Sequence, residues 1–268
     1  MFTVCALFYG DYPELAQRLL ASLGQPWWPS DTQFRLGINN VSKTTSDIVW
    51  RWARSATRAG RCTVFLGSEP YHKYPTMRQM FHDRSLRTQN VMWFDDDSWI
   101  DSEAPMDLFE QLEDKLKTHD VVGAPYKIGL QGNQRAWIEQ QPWYNGKPPQ
   151  RSVSFITGGF VALKTDIITK HDWPPANFDH NGGDVMLGQL CYQHGYRMGR
   201  FVNGLHINAA AGGGCSSAQR RGFSQKPIGV DCAPMAVDPG AGDSTSAQVV
   251  YDVKANRLFD ILDGKDAT

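Results

Sequence analysis

Four groups of residues in this 268-residue chain have types and spacings that can do chemistry. Asp95, Asp96 and Asp97 stand together directly after the apolar run Asn90 to Phe94. Three adjacent carboxylates repel one another unless a cation or hydrogen-bond donors compensate them. Hard oxygen ligands of this kind suit Mg2+ or Mn2+ bridging to substrate phosphates; the other reading is an acidic loop that caps a following helix. In Asn181-Gly-Gly-Asp184 the two glycines permit close backbone approach, and Asp184 opens a helix whose N-terminus favours a negative charge. Asp184 therefore reads as a general base or as a simple N-cap carboxylate. Gly158 and Gly159 interrupt the strand-like run Phe155 to Phe160, which marks a bulge or a ligand lying against backbone. His206 precedes an Ala-, Gly- and Ser-rich stretch and reads as a metal ligand or as a structural imidazole.

These groups need elements to hold them. Phe2 to Phe8 is a short apolar strand, and Asp11-Tyr-Pro-Glu14 then supplies a capping acid, an early proline and a first-turn acid for a helix through Leu15, Leu19, Leu20 and Leu23. Gly24 stands where that helix should stop. Gln33 to Ile38 reads as a second strand, Ser46 to Ala59 as a helix and Cys62 to Leu66 as a third strand. Asn90 to Phe94 is a further strand, Pro105 to Leu116 an amphipathic helix, and Val121 to Ala124 another short strand. Gly129 to Gln150 is a polar, Trp-, Pro- and Gly-rich excursion without periodicity, which reads as a binding lid or a poorly ordered loop. Ser152 to Lys164 returns to strand character, and Gly183 to Tyr196 reads as a helix. The C-terminal VVYDVKANRLFDIL is compatible with a hairpin or a helix. Alternating strands and helices imply an α/β fold with a mostly parallel sheet covered on both faces. In such sheets ligands bind outside the carboxyl ends of the strands, where Asp95 to Asp97 stand.

Composition narrows the classes. Hydrophobic residues make up 41% and charged residues 21%, with nine Trp, which excludes a disordered or fibrous chain. A formal net charge of -1 supplies no bulk field to draw the chain onto nucleic acid or anionic membrane, so a polyanion would need a local patch. The cysteines Cys5, Cys62, Cys191, Cys215 and Cys232 are scattered and odd in number, which reads as free thiols in a reducing compartment. The start MFTVCALFYGDYPE lacks a basic region and a long apolar run, so a soluble, cytoplasmic protein without a membrane partner is expected.

The ordered set of acid triplet after a strand, Gly-Gly strand, Gly-Gly-Asp at a helix start and distal His resembles the GT-A glycosyltransferases, most nearly their fringe-like branch. The opening FTVCALFYGDYPELAQRLLASL is also similar to the first strand and helix of family-2 glycosyltransferases. The resemblance spans about residues 2 to 210. It implies a Rossmann-like GT-A domain over 1–268, with a nucleotide-sugar half over about 1–100, an acceptor half with its loop region over about 101–210, and a flexible loop and tail over 211–268. It also implies a metal-dependent transfer of a sugar, with a UDP-sugar as donor. Asp97 and His206 would hold Mn2+ or Mg2+; Asp95 and Asp96 would face the donor. Gly158 and Gly159 would line the sugar cleft, Tyr9 and Asn39 the nucleotide base, and Arg78 would contact the donor. Asp184 would be the base of an inverting reaction, although Gly-Gly-Asp stands here where many relatives carry Glu-Asp. Arg220 and Arg221 read as a clamp over the diphosphate or as solvated arginines, and Trp137, Trp143 and Tyr144 as stacking residues or as loop anchors.

Arg51, Arg54, Arg58 and Arg61 recur at helical spacing with no acid between Trp50 and Cys62. That stripe is either a solvated face or a phosphate-backbone contact. In the second case a hydroxymethylated pyrimidine in DNA is an attractive acceptor, suited to a bacteriophage modification enzyme in the host cytoplasm. Two other functions compete. Asp95-x-Asp97-Ser98 superficially resembles the nucleophile motif of Mg2+-dependent haloacid-dehalogenase-type phosphohydrolases, and the Trp and Arg content also suits a non-catalytic module that binds glycans or nucleic acid.

Overall fold

The computed structural model describes residues 2–10, 12–57, 60–67, 73–130, 133–178 and 182–207, and the backbone of strands at 249–252, 257–260 and 265–267. Its first half alternates strictly: β1 (Phe2–Gly10), α1 (Pro13–Leu23), β2 (Gln33–Val41), α2 (Lys43–Thr57), β3 (Cys62–Leu66), α3 (Tyr74–His82) and β4 (Asn90–Asp95). There follow β5 (Trp99–Ile100), α4 (Leu108–Thr118), β6 (Val121–Gly129), α5 (Asn133–Glu139), β7 (Ser152–Lys164), α6 (Thr165–His171), α7 (Gly183–His194), β8 (Met198–Arg200) and β9 (Leu205–His206). β10 (Val249–Asp252), β11 (Arg257–Asp260) and β12 (Lys265–Ala267) complete the described strands.

Seven strands form the central sheet in the order β3-β2-β1-β4-β7-β6-β8, and β10, β11 and β12 extend it beyond β3. β1 pairs in parallel with β2 and β4, β2 with β3, and β6 with β8, while β7 runs antiparallel to β4 and β6. Every residue of β1 is buried, as expected for a strand covered on both faces. Its side chains alternate between two cores. Phe2, Val4, Ala6 and Phe8 pack with residues of α1, α2 and α4, whereas Cys5 and Leu7 pack with residues of α3, α6 and α7.

Several boundaries differ from the sequence expectation for identifiable reasons. α2 starts a turn earlier than Ser46 because the Ser42 hydroxyl accepts the Thr45 N–H at 3.2 Å, an N-cap bond. α1 begins after Tyr12 with Pro13 in its first turn; the capping acid expected at Asp11 lies outside the described residues. α7 stops at His194 because Gly195 adopts a left-handed conformation, φ 73°. The C-terminal alternative resolves to an antiparallel pair, β10 with β11. Helix α3 answers to no sequence expectation, although Pro75 near its start and Met77, Met80 and Phe81 on one buried face were its signals.

The excursion after Gly129 is pinned down rather than loose. It contains α5, buries Trp143 and Ile138, and is tied to the end of α7 by four polar contacts. Asn145 Nδ2 donates to Gln193 O, Lys147 Nζ to Tyr192 O and Gln193 Nε2 to Lys147 O, and a ring nitrogen of His194 lies 3.0 Å from Trp143 O. Cys5, Cys62 and Cys191 are free and buried, and burial pushes each thiol up to about 12, so they are inert packing residues. Cys215 and Cys232 lie outside the described residues. Among the described residues, no helix is long and apolar enough to cross a membrane.

Candidate functional site

The carboxyl ends of β1, β2 and β4 meet at one edge of the sheet, because the three strands are parallel and in register: Leu7 lies opposite Asp95, and Tyr9 opposite Asn39. β7 arrives from the other direction, with Phe160 opposite Phe94, so Gly158 and Gly159 reach the same edge. Tyr9, Asn39, Asp95, Asp96 and Asp97 are all buried there, Asp97 completely. The helix-capping reading of the triplet fails. A turn and β5 follow it, α4 begins only at Leu108, and Asp107 is the residue at that helix's N-cap.

Donors from three elements compensate the acids. The Tyr9 N–H donates to Asp96 Oδ2 at 3.2 Å, the Trp93 indole N–H to Asp95 Oδ1 at 2.9 Å, and Lys73 Nζ stands 3.6 Å from Asp95 Oδ2. Lys73 is a site residue that sequence reasoning missed, since nothing local marks a lysine 22 positions before an acid as its partner. Burial alone would lower its pKa, but Asp95, Asp184 and Asp97, together with Tyr74, raise it, so its ammonium stays charged.

Asp184 enters from the other side. Gly182, left-handed at φ 84°, turns the chain into α7, and the Gly183 N–H donates to the Tyr74 hydroxyl at 2.9 Å. A Cβ at Gly183 would lie 2.3 Å from that hydroxyl oxygen, so only glycine permits this approach. Asp184 is one residue inside the helix rather than at its cap, and its Oδ1 accepts the Val185 N–H at 2.9 Å. Its Oδ2 would lie 3.9 Å from a Cβ at Gly158, which brings the two predicted positions together. Burial raises the Asp184 pKa, and the Val185 N–H and the charge of Lys73 pull it back. Burial likewise pushes the Tyr74 hydroxyl up, so it stays protonated at neutral pH.

The remaining predicted residues stand as follows. Arg78 is engaged at the turn after α6: Nη2 bonds Asp172 Oδ1 at 2.6 Å, and Nη1 bonds the carbonyls of Pro174 and Asp172. Those three bonds make it a clamp between α3 and the turn after α6. His206, on β9, pairs opposite Trp99 on β5, two residues beyond Asp97, and its ring stacks on Trp99 at 4.8 Å. Its Nε2 lies 2.7 Å from Asp101 Oδ2. Arg61 of the basic stripe bonds the carbonyls of Pro29 and Ser30, and Arg51 and Arg54 are exposed. Arg58, Arg220 and Arg221 lie outside the described residues. Of the three loop aromatics, Trp143 is buried, Tyr144 is partly buried, and Trp137 is 51% exposed.

Among the described residues, no group of three or more His, Cys, Asp or Glu side chains is gathered as for a metal ion. The oxygen chemistry of Asp95 and Asp97 fits a hard divalent cation, provided diphosphate and water oxygens supply the rest of its coordination. With Nε2 held by Asp101, His206 would join that set through Nδ1, the carboxylate fixing the ring from behind.

Neither a family model nor a curated protein matches the sequence. Solved structures do match its fold. A Pyrobaculum calidifontis mannosyltransferase, PcManGT, solved with GDP-Man and Mn2+, superposes with a TM-score of 0.55 at 15% identity, covering 83% of this chain and 60% of that one. S. aureus TarS with UDP-GlcNAc gives a TM-score of 0.47 at 12% identity, covering 75% of this chain and 55% of that one. This chain thus spans about three fifths of the mannosyltransferase structure. The mixed α/β sheet, its strand order and this superposition together establish a GT-A-type fold.

Proposed function

We propose that this chain is a glycosyltransferase that moves a sugar from a nucleotide donor, a UDP-sugar, to an acceptor hydroxyl with inversion. The observation that carries the reading is the convergence of Asp95, Asp96 and Asp97 with Asp184 through Lys73 and Tyr74 at the carboxyl edge of a GT-A-type sheet. Tyr9 and Asn39, at the adjoining strand ends, would hold the nucleotide base. Gly158, beside Asp184, leaves room for the sugar, and Gly159 would line the same cleft.

Asp184 accepts the proton of the acceptor hydroxyl as that oxygen forms its bond to the anomeric carbon. The bond from that carbon to the diphosphate oxygen breaks in the same displacement, and the nucleoside diphosphate leaves with the electron pair. Negative charge grows on the phosphate oxygens, where the Lys73 ammonium and the α7 N-terminus lower its energy. A divalent Mn2+ or Mg2+ held by Asp97, with Asp95 adjoining, would supply further charge compensation for the diphosphate. The acceptor proposed is a hydroxymethylated pyrimidine in DNA.

A thermal-shift screen of nucleotide sugars, with and without Mn2+, tests the reading. Donor at a hundred times its dissociation constant should stabilise the wild type by about 2.7 kcal/mol. That shift should need the metal and vanish in Asp97→Ala. No shift with any donor would sink the proposal.

A further inference from the structure

Among the described residues, three of the four exposed large hydrophobic side chains, Tyr126, Ile128 and Trp137, lie in the stretch from β6 to the start of β7. The same stretch, 121–152, carries Lys127, Arg135, Lys147 and Arg151 against the lone acid Glu139, in a chain whose net charge is -1. Lys147 is used to hold the loop. Among the described residues, Lys127, Arg135 and Arg151 are exposed and enter no ion pair. In the β6–β7 register Tyr126, Ile128 and Arg151 fall on one face of the strand pair and Lys127 on the other, so exposed apolar side chains and the Arg151 cation share that face.

That surface is rigid and joined to the candidate base. The four contacts to the end of α7 and the buried Trp143 hold the loop in place. The Trp137 ring packs edge-on against Phe178 at 5.9 Å, and Phe178 against Tyr74 at 4.9 Å. Tyr74 in turn binds Gly183, the neighbour of Asp184. On the strand side Tyr126 packs on Phe155 at 5.5 Å, three residues from Gly158.

The geometry points to this surface as the acceptor platform, built for a single-stranded or locally opened nucleic acid. The assignment rests on the transferase reading for its link to Asp184. A neutral glycan would use the rings and leave the cations idle; a polyol-phosphate polymer would use the cations and leave the rings idle. A nucleic-acid strand, with phosphates between stackable bases, uses both. The exposed arginines of α2 are then not required for acceptor contact.

Fluorescence anisotropy of a labelled oligothymidylate of about twelve nucleotides, titrated with the full chain, tests this. Trp137→Ala should weaken binding about tenfold and Trp137→Phe should restore most of it, since one stacked base is lost and then regained. Arg151→Gln should weaken binding and reduce the slope of log affinity against log salt by about 0.7, the loss of one phosphate contact. Absent binding, or binding untouched by Trp137→Ala and Arg151→Gln, overturns the platform. So does Trp137-dependent binding of a neutral oligosaccharide in place of the oligonucleotide. The nucleotide-sugar thermal shift, read on the same preparation, separates the two proposals. An intact donor shift without oligonucleotide binding removes the platform alone. Oligonucleotide binding with no donor shift removes the transferase reading and leaves the surface as a nucleic-acid contact.

Discussion

The hydroxyl of Tyr74 accepts the backbone N–H of Gly183 at 2.9 Å across 109 residues of sequence. This bond positions the first turn of α7, and with it Asp184, against the helix that begins one residue after Lys73. Tyr74→Phe would leave that buried N–H without its partner, a cost of about 1–3 kcal/mol in stability. Chemical denaturation should read that loss, and kcat should fall while donor binding persists, because Asp184 loses its seat. Unchanged stability and kcat would remove Tyr74 from this role.

Lys73 compensates the acid triplet. Its replacement by Met should lower nucleotide-sugar affinity at least tenfold and destabilise the fold by about 1–3 kcal/mol, since Asp95 would be left buried beside two acids. Lys73→Arg should recover much of the affinity by restoring the charge. Isothermal titration with the donor separates these variants, and equal affinity in wild type and Lys73→Met would contradict the assignment.

Asp184 acts as a base only when ionised, and its folded pKa lies above the ordinary carboxylate value because it is buried. The acid limb of the pH–kcat profile should therefore lie above the usual carboxylate range and disappear in Asp184→Asn together with most of the activity. The linkage to stability has the opposite sense. The folded state holds the proton more tightly than the unfolded one, so this group's contribution falls as pH rises from 3.8 through the raised value. Asp184→Asn should flatten that part of the stability profile.

Arg78→Ala should behave as a structural lesion. The loss of its bonds to Asp172 and Pro174 should destabilise the fold by about 1–3 kcal/mol with donor affinity nearly unchanged. A large loss of donor affinity in a stable Arg78→Ala variant would restore it to the donor site.

His171 is buried beside His194, 4.1 Å away ring to ring, and its Nε2 lies 2.8 Å from the Tyr196 hydroxyl. Burial, then the neighbouring His194 and Lys170, lowers its pKa to about 4. The unfolded chain binds this proton more readily, so stability is full above about 6.5 and is lost as pH falls towards 4. Melting temperatures across that window should show the slope, and His171→Gln should reduce it.

The amino-acid sequence by itself determined the alternation of strands and helices and the order of most of the central elements. β1, β2 and β4 are short apolar runs, α1 carries leucines at helical spacing with a proline start, and the acids follow directly on β4. Those features are local: they depend on side-chain period and chain stiffness over a few residues. The strand-end position of Tyr9, Asn39 and the triplet was legible for the same reason. Only the tertiary structure decided what each polar group faces. Lys73 meets Asp95, Tyr74 meets Gly183, Arg78 meets Asp172 and His206 meets Asp101, all between elements distant in sequence. A charged side chain pairs with whichever opposite charge the packed helices bring within a few ångströms, and residue type alone does not specify that neighbour. The loop after Gly129 shows the same division: its composition marked it as irregular, while burial of Trp143 and exposure of Trp137 followed from how it packs on α7.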